Sequence, residues 1–170
     1  MLQLYNTQVN AVDRSKESLP VVRLIVIEDN RHTVSDIVED VSDLMPNKVE
    51  MRIVGNERAF REQLDAFESD PPDAFVIDVM LAWDYPRSDP LPPPPDVAQN
   101  GFFRAGLRCA QLLDGRPSLK SVPRVFYTAL DKADIESEID RKRRLPLTRV
   151  VEKDSGSEYL VRALNQVLSR

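Results

Sequence analysis

Three carboxylates stand where apolar, β-branched stretches end. Glu28 and Asp29 follow Val21 to Ile27 (VVRLIVI), and Asp78 comes near the close of Ala74 to Val79 (AFVIDV). Short, nearly continuous apolar runs suit strands buried on both faces. With those two strands side by side, the three acids converge in one shallow cleft. Like charges that close repel and need a cation. An all-oxygen donor set with open positions suits Mg2+, which keeps water ligands and accepts phosphate oxygens. Two further polar residues end later strands: Thr128 after Arg124 to Tyr127 (RVFY), and Lys153 after Thr148 to Glu152 (TRVVE). A hydroxyl and an ammonium beside a metal-bound carboxylate form a place for an oxyanion.

The intervening segments must bring these strand ends to one edge. Val34, Ile37, Val38, Val41 and Leu44 recur at helical spacing, and Pro46 closes the segment. Lys48 to Val54 (KVEMRIV) alternates like a half-buried strand. Asn56 is placed to cap a helix carrying Phe60, Leu64 and Phe67 on one face, with Pro71-Pro72 as its stop. Gly101 to Leu113 reads as a helix that Gly115 terminates. Asp131 to Arg143 reads as a charged helix. Ser155 and Glu158 form a capping-box pattern before a last helical face of Leu160, Val161, Leu164, Val167 and Leu168. Five strands alternating with five helices predict a doubly wound α/β fold: a parallel sheet covered on both faces, with ligands at the carboxyl ends of the strands.

Composition narrows the chemistry. At about one domain per 150 residues, the 170-residue chain is one domain over 21–170 with an extension over 1–20. Apolar residues make up 42%, enough for a core that needs no staple. The net charge of −5 disfavours phosphate-backbone binding as the main activity. The single cysteine, Cys109, excludes an internal disulfide and a cysteine-rich zinc site, and reads as a small core residue. The single histidine, His32, excludes multi-histidine metal sites and reads as a surface or capping residue. No run is long and apolar enough to span a membrane and the N-terminus has no signal-peptide pattern, so the expected location is the cytoplasm. Pro86 to Pro95 holds six of the 13 prolines, four of them consecutive, and such a run favours extended polyproline conformation. Arg141 to Arg144 (RKRR) follows five acids on its helix, which reads as a solvated helix matched to its own dipole.

The order Glu28-Asp29, Asp78, Thr128-Ala129, Lys153, with the local strings IVIEDN, VIDVML and FYTAL, resembles the receiver domain of two-component response regulators, the CheY-like family. The resemblance covers about residues 21–170. It implies the flavodoxin-like strand order 2-1-3-4-5. It also implies that Asp78 accepts a phosphoryl group from the phosphohistidine of a histidine kinase or phosphotransfer protein. Glu28, Asp29, Asp78 and the backbone carbonyl of Met80 would hold Mg2+. Lys153 and Thr128 would take phosphoryl oxygens, and enzymatic activity would be limited to self-phosphorylation from small donors and autodephosphorylation. Output would pass to a downstream protein through the fourth helix, fifth strand and fifth helix, a face that also supports a homodimer. The expected function is that of a stand-alone receiver.

Several positions depart from the receiver pattern. Val150 stands where many receivers carry the aromatic residue coupled to the hydroxyl. Asp154 replaces a proline after the lysine, where a trans or a strained peptide bond is expected. Ala82 replaces a common proline after the acceptor loop, and Met80 and Leu130 are apolar beside the cleft. The stretch from Asp78 to Thr128 is longer than a receiver requires, and the surplus is an insertion at about 82–100 holding Trp83, Tyr85 and the proline run. Leaving the sheet directly after the acceptor, it is placed to cover the cleft or to offer a docking surface. The rival reading is a receiver-like interaction module that works without phosphate. A nucleic-acid adaptor using Arg141 to Arg144 would bind in a salt-sensitive way. Flavin binding lacks a phosphate loop after the first strand, where acids would repel the phosphate.

Overall fold

The computed structural model describes residues 21–45, 47–85, 91–142 and 148–169, without the side chains of 102 and 140–142. The extension over 1–20, Pro46, the first part of the proline run and the side chains of Arg141 to Arg144 lie outside the described residues. The strands are β1 (Val22–Ile27), β2 (Val49–Val54), β3 (Ala74–Ile77), β4 (Arg124–Thr128) and β5 (Thr148–Glu152). The helices are α1 (Arg31–Leu44), α2 (Glu57–Ser69), α3 (Pro95–Asn100), α4 (Ala105–Asp114), α5 (Lys132–Lys142) and α6 (Ser157–Leu168). All strand pairs are parallel, in the order β2-β1-β3-β4-β5. This is the doubly wound, flavodoxin-like sheet.

Alternation along the strands divides the core in two. Ile25, Ile27, Phe75, Ile77, Phe126 and Val150 face one side and pack against Phe60, Leu64 and Phe67 of α2 and Leu107 and Leu113 of α4. Leu24, Val26, Val76, Val125, Tyr127 and Val151 face the other, against Ile37 and Val41 of α1 and Leu160 and Leu164 of α6. Both faces of the central strands are therefore buried, which is why β1, β3 and β4 read as unbroken apolar runs. Cys109 is wholly buried in the first layer, where burial pushes its thiol well above the ordinary range.

Local chemistry sets the boundaries. Asn56 caps α2 by accepting from the Ala59 N–H at 2.7 Å, and Asn30 caps α1 by accepting from the N–H groups of His32 and Thr33. His32 itself is exposed.

Four expectations need correction. The predicted Gly101–Leu113 helix is a short 3-10 turn, Phe102–Arg104, followed by α4. Gly115 does end α4, as the sequence predicts, with an ordinary helical φ of −72°. The capping box of Ser155 and Glu158 does not form. Residues Lys153–Ser155 make a 3-10 turn, α6 starts at Ser157, and Gly156 stands before it at φ 95°. The proline run is not extended throughout: Pro95 opens α3, so the described residues hold six α-helices in place of five. Its fixed φ and missing N–H suit a first helical position. On α1, Val38 and Leu44 of the predicted apolar face are exposed, and the buried positions are Ile37 and Val41.

Candidate functional site

Strand register carries the polar residues to one edge. Ile27 of β1 lies opposite Ile77 of β3, and the Asp78 N–H donates to the Ile27 carbonyl at 2.9 Å. Glu28 and Asp78 are therefore level with each other. On the other flank, Ile77 pairs with Phe126, and Thr128 pairs with Glu152, the residue before Lys153. Residues far apart in the chain thus meet at the carboxyl ends of four strands.

One carboxylate oxygen from each of Glu28, Asp29 and Asp78 lies within 4.8 Å of the others. Glu28 and Asp78 are buried, at 3% and 5% exposure, and Asp29 is exposed. Lys153 Nζ sits 2.7 Å from Glu28 Oε2 and 2.7 Å from Asp78 Oδ2. Glu28 Oε1 accepts from the Asn30 N–H at 2.9 Å, Asp78 Oδ1 from the Met80 N–H at 3.2 Å, and Asp29 Oδ2 from the Ala82 N–H at 2.8 Å. Thr128 is wholly buried, and its Oγ1 accepts from the Leu130 N–H at 3.3 Å.

The electrostatics follow from burial and imbalance. Burial raises the Glu28 carboxyl above its ordinary range, the Asp78 charge adds to this, and Lys153 offsets part of it. For Lys153, burial works against the charge, but hydrogen bonds and attraction from Asp78 and Glu28 win and hold the ammonium above its ordinary range. Three carboxylates face one ammonium. That excess of negative charge, on oxygen donors alone, fits a hard divalent cation. The residues present therefore suit a divalent cation on this chain's own chemistry.

The structure brings together Glu28, Asp29, Asp78 and Lys153, and places Thr128 on the same edge. Met80 enters through its N–H to Asp78. Val150 is buried in the core with no aromatic ring in its place. No cis peptide bond occurs among the described residues, as expected at Lys153–Asp154.

Sequence reasoning missed Gly106. A Cβ there would stand 2.1 Å from the carbonyl oxygen of Asp78, so only glycine lets α4 press against the loop after β3. A glycine inside an otherwise helical stretch is the signal for such close approach. It also missed Glu57, wholly buried at the start of α2. Glu57 is bound by Arg108 through Nε at 3.0 Å and Nη2 at 2.6 Å, and by Arg61 Nη2 at 2.7 Å. Arg61 also pairs with Asp96 of α3. The i,i+4 spacing of Glu57 and Arg61 is the signal that could have found that pair; none joins it to Arg108 or Asp96, because that meeting depends on how three helices pack.

The segment after Asp78 borders the site on the Asp29 side. Asp29, Ala82, Trp83, Pro93, Val97, Ala98 and Gly101 line a mostly apolar cavity of about 560 Å3.

No family model matches the sequence, and no curated protein matches it. Solved structures do match. The signal receiver domain of a two-component histidine kinase from Clostridium thermocellum aligns at a TM-score of 0.61 and 12% identity, covering 88% of this chain and 98% of that one. The fold is that of a receiver domain. The receiver fold also aligns with the Mn2+-bound form of response regulator Rcp1, at a TM-score of 0.52 and 18% identity over 87% of this chain and 92% of that one. The phosphorylated cyanobacterial phytochrome response regulator RcpA aligns at 0.54 and 17%, over 87% and 91%. Among the described residues, no helix is long and apolar enough to cross a membrane.

Proposed function

We propose that this chain is a response-regulator receiver that accepts a phosphoryl group on Asp78, with Mg2+ held by Glu28, Asp29, Asp78 and the Met80 carbonyl. The observation that carries this reading is the convergence of three carboxylates within 4.8 Å, with Lys153 2.7 Å from Asp78, on a receiver fold. The Mn2+ of Rcp1 and the phosphorylation of RcpA lend support by analogy of fold.

Transfer of this kind depends on positioning and charge neutralisation. A carboxylate oxygen of Asp78 forms a bond to phosphorus. The phosphorus–nitrogen bond of a donor phosphohistidine breaks, and its electron pair leaves with the imidazole. Glu28, Asp29 and Asp78 would hold Mg2+ there, and it would supply positive charge to the phosphoryl oxygens. The Lys153 ammonium turns from Asp78 to a phosphoryl oxygen, and Glu28 keeps it at the site in the meantime. Thr128 exchanges its local contact with Leu130 for another phosphoryl oxygen. The new charge of about −2 biases the neighbouring surface.

That surface is α5–β5–α6, the sequence-predicted output face. Lys132, Arg149, Glu152, Tyr159 and Arg162 help line a groove of about 350 Å3 there, which suits a downstream protein or a second copy. In this reading the phosphodonor is a histidine kinase or phosphotransfer protein and the location is cytoplasmic. Residues 1–20 are an extension and about 82–100 an insertion. A phosphate-independent interaction module is the second reading. It is favoured by Val150, since no aromatic ring stands there to couple Thr128 to the output face.

The test is intact mass after incubation with Mg2+ and an acyl phosphate. We expect one added phosphate on the wild type and none on Asp78→Asn. No Mg2+-dependent addition to the wild type, under conditions that modify a control receiver, overturns the reading in favour of the interaction module.

A further inference from the structure

The backbone that leaves the sheet after Asp78 is tied to both the acidic centre and α2. The Ala82 carbonyl accepts from the Glu57 N–H and the Trp83 carbonyl from the Arg58 N–H, each at 3.0 Å. These are N–H groups of the first turn of α2, which have no acceptor inside the helix. Arg58 pairs with Asp84 at 2.7 Å, and Arg61 lies over the Trp83 ring at 5.6 Å. The Tyr85 hydroxyl fills the space a Cβ on Gly55 would take. Through Arg61, Glu57 and Asp96, the same cluster reaches α3 in the later part of the insertion.

We propose that the start of the insertion is a working part of the divalent-cation site: the Ala82 N–H presets Asp29, and Arg61, through Trp83 and Glu57, holds Ala82 in place. The inference rests on the metal reading above. Asp29 is the exposed member of the three acids. An exposed carboxylate must give up rotational freedom to ligate an ion. The 2.8 Å bond from Ala82 removes that freedom beforehand and leaves Oδ1 and a lone pair of Oδ2 for the ion. Hydrogen-bond partners of ligating groups orient their ligands, and losing one lowers metal affinity about 10–100-fold. A proline at position 82 has no N–H to give. Alanine there provides a donor that the common receiver residue lacks. Ala82 is thus a positioning residue, acting through Asp29.

The experiment is a Mn2+ titration of the full chain, with free ion counted by electron paramagnetic resonance and emission of Trp83, the single tryptophan, as a second readout. Ala82→Pro is expected to weaken binding by about 10-fold or more. Ala82→Gly keeps the N–H and should stay within about 2-fold of wild type, a rescue that a purely steric role would not predict. Arg61→Ala removes the tie between α2, Trp83 and α3 and should weaken binding about 3-fold or more. Wild-type affinity in Ala82→Pro overturns the inference and leaves the proposed function standing. Should Ala82→Pro fail to fold by circular dichroism, Arg61→Ala decides, and unchanged affinity there overturns the inference. A wild type that binds no Mn2+ overturns the metal reading and the inference together.

Discussion

Two buried glutamates have opposite characters. Glu57 is wholly buried and meets two guanidiniums, with Asp96 as the second carboxylate of the group. Glu28 is nearly as buried but shares one ammonium with Asp78, and Asp29 stands beside them. The first cluster is balanced and knits three helices together. The second is short of positive charge and opens at Asp29. Burial of a charge does not by itself distinguish structure from site. The balance of charge, and access to it, does.

The comparison can be broken in measurable ways. Glu57→Gln leaves Arg61 and Arg108 with one full charge too few, and loss of one partner in a buried pair costs about 3–5 kcal/mol. Urea unfolding should show this loss, and Mg2+ should not close the gap from wild type, since both chains keep the acidic site. Lys153→Met leaves Glu28 and Asp78 facing each other without the ammonium, at a cost of about 1–3 kcal/mol. Here added Mg2+ should recover stability in the same urea assay, because an ion that binds only the folded chain stabilises it. Equal responses of the two variants to Mg2+ would erase the distinction between the clusters.

Two smaller effects sharpen it. Glu28→Gln removes a carboxylate whose ionised form burial and Asp78 disfavour. Its Tm in metal-free buffer should rise above wild type, while the Mg2+-dependent rise in Tm should shrink; differential scanning calorimetry with and without Mg2+ reads both. Asp96, at the exposed rim of the Glu57 cluster, is held below the ordinary carboxylate range by its hydrogen bond from Arg61. A depressed carboxyl stabilises the fold above its unfolded-state pKa and loses that contribution as pH falls through its folded value. Asp96→Asn should therefore cost about 0.2–1 kcal/mol at neutral pH, allowing for solvent screening. That difference should vanish in acid, as denaturation at a series of pH values can show.

Legibility followed the range of the forces involved. β1, β3 and β4 were readable because strands buried on two faces leave unbroken apolar runs, and Asn56 because a cap acts within three residues. Glu28, Asp29, Asp78, Thr128 and Lys153 were readable as strand-end residues whose meeting follows once the strand order is known. Ser155 misled, because its capping pattern competes with a turn that Gly156 makes possible at φ 95°. The proline run misled in part, because proline suits a first helical turn as well as an extended chain. Gly101–Leu113 misled because helical spacing does not mark where a 3-10 turn hands over to α-helix.

By itself, the sequence determined the alternation of strands and helices, the residues that end the strands, and the sign of charge gathered at one edge. These follow from periodicity and residue type, which are local. Only the tertiary structure decided that Lys153 bridges Glu28 and Asp78, that Gly106 lets α4 press on the loop after β3, and that Ala82 reaches Asp29. It also decided that Glu57 is neutralised by arginines from its own helix and from α4. Each of these contacts, other than Arg61 to Glu57, joins residues far apart in the chain. Their geometry is set by packing two layers of helices on one twisted sheet, and no window of sequence contains it.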